Sequence, residues 1–462
     1  MGYDLIVIGA GPAGMSAAAL AAEAGLAVLL LDENPRAGGQ IYRDLGQNTD
    51  RRDWLGPDYR AGLALIERLA DQRITCKFGA SVWRVDANQD NRSVHVCWSQ
   101  AGDSHQTEAR HLLIATGAQE RPTPFPGWTL PGVMPAGAAQ ILMKNAGLLP
   151  RDAVLAGAGP LLYLVAAQMI AAGHPPKALV EIQGPRDMLA AARHVPQALF
   201  ASRQLLKGVS LLRQIRRAGV PRYTNARNFR VDALADDRLR FSFTHRGKTQ
   251  ALTCGLVLTH QGVIPSTHLS RACGILHVWD NAQRCLRPQT DPWGATDLSQ
   301  IHIAGDGAGI LGAEAAALRG RLAARDILHQ LGRISADQRD QGSAADIAAL
   351  HRASAIRPLL DRLYPPPSWI ETPPEDTIVC RCEALKAGPL RQAITEGATG
   401  HRQLKTATRL GMGRCQGRQC DATARALLVE AGHPPVEPPR ARHPVKPVTL
   451  GELARLDPSF KG

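Results

Sequence analysis

The most constraining feature of this chain occurs twice: a short apolar run that ends directly in a glycine-rich turn and continues into a helix-forming stretch. It occurs first as Asp4 to Ile8 followed by Gly9-Ala10-Gly11-Pro12-Ala13-Gly14, and again as Ala153 to Ala156 followed by Gly157-Ala158-Gly159-Pro160-Leu161-Leu162. Buried parallel strands read as unbroken apolar runs, and GxGxxG between such a strand and a helix has a mechanical meaning. The first glycine permits a tight turn, the second lets a pyrophosphate approach the backbone, and the third lets helix and strand pack closely. In the first unit Met15 to Ala24 predicts the helix, Gly25 its stop, and Leu26 to Leu31 a second strand closing on Asp32-Glu33, whose carboxylates can hold a ribose hydroxyl. The second unit repeats this with a helix to Ala172, Gly173 as its stop, and a strand Ala178 to Ile182 carrying Glu181. It departs at the third glycine, where Leu162 is expected to push helix and strand apart or to shift the register. A nucleotide in this unit, of NAD or ATP/ADP type, is therefore left open, and Glu181 would repel a 2′-phosphate.

Three further stretches belong with the first unit. The loop Glu33 to Arg43 carries Gly38-Gly39 next to Gln40, Leu112 to Ile114 leads into Ala115-Thr116-Gly117, and Ser299 to Ala304 leads into Gly305-Asp306-Gly307, ahead of Gly312 and a predicted helix Ala313 to Gln330. Small residues at strand ends let the chain pass close to a nucleotide. Together these motifs resemble the α/β flavoprotein fold with two dinucleotide-binding, glutathione-reductase-like domains. The resemblance implies that Gly38-Gly39 runs under an isoalloxazine and that Asp306 accepts a ribityl hydroxyl, with the positive end of the following helix toward flavin N1. The expected layout is a discontinuous FAD-binding domain over 1–120 and 255–335, with a second nucleotide-binding-like domain over 121–254 inserted in it. A linker helix and Pro-rich boundary would follow over 336–375, then a small helical cysteine-bearing domain over 376–432 and an extended basic, Pro-rich tail over 433–462, with Glu437, Arg440, Arg442, His443 and Lys446. Helical stretches are expected at Asp58 to Asp71, Arg186 to Arg217 and Ser343 to Leu363, and a strand meander with a polar turn at Ala87 to Arg92. The arginines of the 186–217 stretch read either as a solvated face or as a docking surface.

Nine cysteines are unevenly spread. Cys76, Cys97, Cys254, Cys273 and Cys285 are isolated, and none supplies a redox pair beside the flavin motifs, which argues against a disulfide reductase. Cys380-Arg381-Cys382 and Cys415-Gln416-Gly417-Arg418-Gln419-Cys420 cluster near the end. Cys-x-Cys presents two thiolates from one extended loop, and the second pair adds two across a glycine turn, a donor set for a four-thiolate [2Fe-2S] centre. Structural zinc takes the same ligands, although its paired cysteines are usually two to four residues apart, and four unliganded thiols are the third reading. Arg381, Lys405, Arg409, Arg414 and Arg418 would offset the negative charge of such a cluster.

Lys+Arg exceed Asp+Glu by 54 to 41, but the cations are scattered and only six tyrosines and seven phenylalanines are available to stack bases. Nucleic acid is excluded as a partner on that ground, and the charge reads as solubility or as complementarity to an acidic protein. No apolar run reaches membrane-spanning length, and the first strand starts beside Met1. A cytoplasmic location is expected, with peripheral contact to a membrane through the electron acceptor left open. No paired acid and base and no nucleophile with a helper stands out, so the catalytic residues are unknown.

The runs Gly38 to Arg43, Ala304 to Ile310 and Lys405 to Arg418 resemble the α subunits of heteromeric FAD and iron–sulfur amino-acid or opine dehydrogenases. That family includes the opine oxidase A subunits, the D-hydroxyproline dehydrogenase α subunit and the corresponding hydrogen cyanide synthase subunit. The resemblance covers nearly the whole chain. It implies FAD held by Gly9, Gly11, Pro12, Ala13, Gly14, Asp32 or Glu33, Gly39, Gln40, Val82, Ala115, Thr116, Gly117, Gly305 and Asp306, and a [2Fe-2S] cluster on Cys380, Cys382, Cys415 and Cys420. It further implies a β subunit whose own FAD oxidises an amine, in some assemblies a small ferredoxin-like γ subunit, and a relay role for this chain. The alternatives are a self-contained NADH-dependent flavin/iron–sulfur reductase and a non-catalytic scaffold.

Overall fold

A computed structural model of the chain describes residues 2–48, 52–88, 93–434 and 441–456. β1 (Tyr3–Ile8), β2 (Val28–Asp32), β3 (Ile74–Phe78) and the end of β6 (Asp103–Ile114) pair in parallel in the order β3-β2-β1-β6, and Ile301–Ile303 adds in parallel beside β6. β4 (Ser81–Asn88) and β5 (Ser93–Gln100) form the antiparallel meander that pairs with β6. The unbroken apolar run of β1 follows from burial on both faces. Leu5 and Val7 enter the core beneath α1 (Pro12–Glu23) and the helix Ala313–Gln330, whereas Ile6 and Ile8 enter the opposite core with Val82, Val96 and Trp98. α1 is alanine-rich because it is enclosed nearly all round, and the helix Ala313–Gln330 comes so close that a Cβ on Gly320 would lie 2.1 Å from the Ala13 carbonyl oxygen.

The second sheet is parallel throughout, in the order Arg222–Tyr223, Ala178–Glu181, Ala153–Ala158, Leu256–Gln261, Val133–Pro135. A three-stranded antiparallel layer, Arg227–Ala233, Leu239–His245 and Lys248–Cys254, packs on it through Phe229, Phe241 and Phe243. The chain leaves the first sheet at Ala118–Glu120 and returns at Val263–Pro265, which pair as an antiparallel ribbon. Leu256–Gln261 thus belongs to the second sheet, and the sequence-based return to the first part at residue 255 is corrected to the ribbon. Of the two outcomes expected at Leu162, a shift of register does not occur. The strands around Ala153–Ala158 keep continuous register, and the Leu162 side chain is fully buried with Leu155, Met169 and Leu179.

Each of the three long helical stretches is divided. Gly62 interrupts the 58–71 stretch where the Tyr42 ring fills the space of a Cβ. The 186–217 stretch is divided into Pro185–Ala192, Val195–Ala198 and Ser202–Arg217, the first break falling ahead of Pro196, whose ring obstructs the carbonyl four residues back. The 343–363 stretch is two helices, Ala336–Ser354, capped reciprocally by Ser335 and Gln338, and Arg357–Leu363, with Pro358 in its first turn. Residues 378–430 form a small unit of their own: a ribbon Ile378–Cys380 with Leu385–Lys386, and helices Ala387–Thr395, His401–Thr408 and Asp421–Glu430 around Leu390, Leu404, Leu427 and Leu428.

The final segment lies back on the first sheet. Val445 is buried and its N–H donates to the Trp83 carbonyl at 2.9 Å, Lys446 pairs with Glu33, and Arg455 with Asp103. It also carries a short helix, Leu450–Ala454, where the sequence suggested only extended chain. Glu437 and Arg440 of the tail and positions 89–92 of the polar turn lie outside the described residues. No helix among the described residues is long and apolar enough to cross a membrane.

Candidate functional site

The fingerprint turn is locked to its neighbours by absent side chains. A Cβ on Gly14 would lie 1.8 Å from the Gly9 oxygen, and one on Gly9, at φ 108°, would lie 2.4 Å from the Ala115 oxygen. Gly38 donates to the Ala10 carbonyl at 2.8 Å, and Gly39 crosses Gly11 so closely that a Cβ would stand 2.8 Å from the Gly11 Cα. α1 begins after Gly11 with Pro12 in its first turn, no side-chain cap and no acid, so its positive end carries no side-chain partner of its own. Asp32 is buried. Its Oδ2 accepts from Ala10 N at 2.6 Å and its Oδ1 from Asn34 N and Nδ2 at 2.7 Å, while burial pushes its carboxyl upward against those bonds. Asp32 therefore holds the turn itself, and Glu33 is exposed and paired with Lys446.

Val82 is buried in β4, and Ala80 N, just before it, donates to the Asp32 carbonyl at 2.9 Å. Thr116 Oγ1 donates to the Ser266 carbonyl at 3.3 Å and Ser266 N to the Gly117 carbonyl at 2.9 Å, with open space where a Gly117 side chain would be. Gly305, at φ 75°, lies against Ala13. Asp306 Oδ1 accepts from Leu311 N and Gly312 N at 2.8 and 2.9 Å, so the carboxylate is fixed just ahead of the helix Ala313–Gln330. Its Oδ2 has no hydrogen-bond partner among the described residues. Gln40 is exposed, and its carbonyl is held at 3.0 Å by Lys144 Nζ, a buried ammonium that also donates to Gln140 Oε1 at 2.9 Å. Burial brings Lys144 down to about 7, with Arg43 adding to the effect. Sequence reasoning missed Lys144, although a lysine four residues after Gln140 on an otherwise small and apolar helix was a signal.

The equivalent place in the second unit is filled by the chain itself. Glu181 is fully buried and accepts from Tyr163 Oη at 2.6 Å, Gln183 Nε2 at 2.7 Å, and Arg222 Nε and Nη2 at 2.8 Å each. Its carboxylate is saturated. The His260 ring lies 3.2 Å from where a Gly159 Cβ would be and is held by Glu120 Oε1, 2.6 Å from His260 Nδ1.

The four late cysteines come together in two pairs, Cys380 beside Cys420 and Cys382 beside Cys415. The Cys420 thiol and the backbone N–H groups of Gly411, Glu383 and Cys382 bring Cys380 down to about 5 despite burial, and the neighbouring Cys380 together with burial pushes Cys420 up. Gly417 N–H and Gln419 N–H point at Cys415. Gly413 lets its loop pass Cys382, where a Cβ would lie 2.1 Å from the Cys382 Cβ. Cys380 and Cys420 are buried and Cys382 is exposed, so one edge of the site faces out. Two sulfur pairs ringed by N–H donors fit a two-iron cluster, which takes two thiolates per iron.

The two sites adjoin. Gln119 Nε2, two residues beyond Gly117, donates to the Arg418 carbonyl at 3.0 Å. His268, two residues beyond Ser266, has Nε2 2.6 Å from Gln416 Oε1, and Gln416 Nε2 donates to the Pro444 carbonyl at 2.8 Å. Arg271 pairs with Asp421 at 3.3 Å, and Trp128 Nε1 donates to the Ile378 carbonyl at 2.6 Å. The strand end that faces the cradle is thus two short steps from the loop that holds Cys415 and Cys420.

Fold and sites together define an FAD-dependent oxidoreductase that carries an iron–sulfur module. Residues 3–325 match the pyridine nucleotide-disulphide oxidoreductase family and residues 378–430 the BFD-like [2Fe-2S] binding domain. The chain is 44% identical to the opine oxidase A subunit of Agrobacterium tumefaciens, over 98% of this chain and 92% of that protein. It is 32% identical to hydrogen cyanide synthase subunit HcnB of Pseudomonas aeruginosa, over 98% of both. It belongs to the pyridine nucleotide-disulphide oxidoreductases and, within them, to the family of the opine oxidase A subunits. Among solved structures, L-proline dehydrogenase from P. horikoshii superposes with a TM-score of 0.70 at 19% identity, covering 98% of this chain and 80% of that one, a likeness of fold.

Proposed function

We propose that the chain is the electron-relaying subunit of a heteromeric amine dehydrogenase or oxidase, acting on an amino acid, D-hydroxyproline or an opine. A partner β subunit with its own FAD oxidises the amine at its CH–NH bond, and in some assemblies a small ferredoxin-like γ subunit takes part. The single observation that carries the relay is the seam in which Gln119 and His268 join the flavin cradle to the cluster loop. A flavin accepts electrons in pairs and releases them singly, and a [2Fe-2S] centre passes them singly. The work of this chain's residues is to bind and orient. The α1 N-terminus and Gly9, Gly11, Pro12, Ala13 and Gly14 take the diphosphate, with Val82 and Asp32 or Glu33 toward the adenosine. Gly39 and Gln40, braced by Lys144, and Ala115, Thr116, Gly117, Gly305 and Asp306 line the isoalloxazine and ribityl side. Cys380, Cys382, Cys415 and Cys420 supply thiolates. We place the flavin part at 2–120 and 263–335, the second nucleotide-type part between them, and the cluster part at 376–432.

The relatives' names as subunits of opine oxidase and hydrogen cyanide synthase support the assembly and the amine class. The NADH-reductase alternative needs a ribose acceptor in the second unit, and Glu181 is already saturated there, so we assign that unit a structural role. The test is the visible spectrum under anaerobic conditions, recorded with the chain alone and with its partner. Bleaching by D-proline, hydroxyproline or an opine only when the partner is present is expected; rapid bleaching of the isolated chain by NADH would overturn the assignment.

A further inference from the structure

The helices Pro185–Ala192, Val195–Ala198 and Ser202–Arg217, with the 3-10 turn Leu199–Ala201 between the last two, expose large apolar side chains at high fraction: Leu189 79%, Phe200 74%, Leu206 70% and Leu199 60%. With Met188, Val195 and Val209 these make seven of the fifteen exposed large apolar side chains among the described residues, all within 188–209. The concentration marks a surface, since apolar side chains scattered singly need no explanation. Nor is the segment loosely held. Ala191, Ala198 and Ala201 pack inward on Ile356 and Leu359, and Ile215 enters the core of the second sheet. The segment therefore has an apolar inner face that is satisfied and an apolar outer face that is not. Beside Leu206 and Val209 runs a groove of about 640 Å³ that reaches Ile170 and is bordered by Arg213, Gln214 and Arg217.

Charge on this face is of one sign. Residues 185–217 contain Arg186, Arg193, Arg203, Lys207, Arg213, Arg216 and Arg217, against the single acid Asp187. Asp187 is engaged locally, its Oδ2 accepting from Gly184 N at 2.9 Å, and Lys207 pairs with Asp58. An apolar centre with a charged rim is the anatomy of a protein–protein interface. Two copies of this chain meeting through this face would set like cations against each other, and the groove is concave where a bilayer surface is not.

We infer that this face docks the substrate-oxidising partner subunit, through a surface with an apolar ridge and an acidic rim on that subunit. The inference rests on reading the chain as one subunit of a heteromeric complex. The apolar anchors are Phe200 and Leu206, and the charges that steer the approach are Arg203 and Arg213.

The test is affinity between the full FAD- and cluster-loaded chain and the flavin subunit that copurifies with it, measured by sedimentation and by association kinetics. Phe200→Ser with Leu206→Ser should weaken binding on the order of 30-fold, the loss of one strong interface anchor. Arg203→Glu with Arg213→Glu should slow association and flatten its dependence on salt. Both double variants should keep the flavin and cluster absorbance of the unmodified chain, because every altered side chain points into solvent. If both bind the partner as the unmodified chain does, this face is not the dock, although the subunit reading stands. If the unmodified chain binds no flavin subunit, the subunit reading itself fails. Self-association of the chain that Phe200→Ser abolishes without changing partner affinity, or binding to phosphatidylcholine–phosphatidylserine vesicles with the same pattern, would also overturn the assignment.

Discussion

Replacing Gly320 by Ala adds one methyl group where the helix Ala313–Gln330 crosses α1, and the geometry gives its sign. The new Cβ would stand 2.1 Å from the Ala13 oxygen and 2.8 Å from its carbonyl carbon. An ordinary contact begins near 3.4 Å, so the two helices must open by about 1.3 Å, and the obstacle is backbone that cannot rotate away. Alanine's helix propensity offsets about 1 kcal/mol, whereas overpacking of this kind costs about 3 kcal/mol, at the upper end of its usual range. The net expectation is a loss of about 2 kcal/mol, roughly 30-fold in an equilibrium constant. Ala13 lies between Gly11 and Gly14, so the displacement falls on the fingerprint turn and FAD affinity should drop with stability. Gly342→Ala is the control, because its Cβ would meet only the Arg325 side chain at 3.4 Å and should stabilise the helix Ala336–Ser354 by about 1 kcal/mol. The assay is urea unfolding and FAD release followed by flavin fluorescence. A Gly320→Ala protein as stable as the parent with undiminished FAD affinity would refute the reasoning.

Three further outcomes are expected. Cys382→Ser should lose iron and the cluster's visible absorbance while retaining FAD, and Cys97→Ser, at a buried position in β5 away from the cluster, should leave iron unchanged; metal analysis with absorbance separates them. Arg222→Ala strands the fully buried Glu181 carboxylate and should cost about 3–5 kcal/mol in urea unfolding, without creating NADH reduction. Burial pushes His111, His277 and His401 down to about 4, so between pH 6.5 and 4 the unfolded chain takes up protons that the folded chain refuses. Stability should therefore fall as pH drops below 6.5, by up to about 1.4 kcal/mol per pH unit for each histidine; urea midpoints that stay level from pH 7 to 5 would contradict this.

Local chemistry made much of the flavin part legible. β1, the Gly9 to Gly14 turn, α1 and the helix Ala313–Gln330 announce themselves through apolar runs, glycine spacing and alanine content that depend on near neighbours. The cysteine spacing likewise pointed to the cluster. Contacts between distant segments were hidden. Gly62 breaks a helix to admit Tyr42, Leu256–Gln261 joins the second sheet through partners far back in the chain, and Leu162 is accommodated without a change of register. Glu181 looked like a ribose acceptor because its position in the repeat is right, and only the fold brings Tyr163, Gln183 and Arg222 onto it. Gln119 and His268 are unremarkable in sequence, and their meaning comes from meeting a loop roughly 150 to 300 residues later.

The claim that electrons pass between flavin and cluster within one chain can be tested without the partner. The FAD of the isolated, fully loaded chain would be reduced by a light pulse under anaerobic conditions, and the paramagnetic signal of the reduced [2Fe-2S] centre followed in rapidly frozen samples. The seam through Gln119 and His268 predicts that this signal rises as the flavin reoxidises, within milliseconds and independently of protein concentration. A reduced flavin that persists beside an oxidised cluster, or transfer whose rate scales with protein concentration, would contradict the relay.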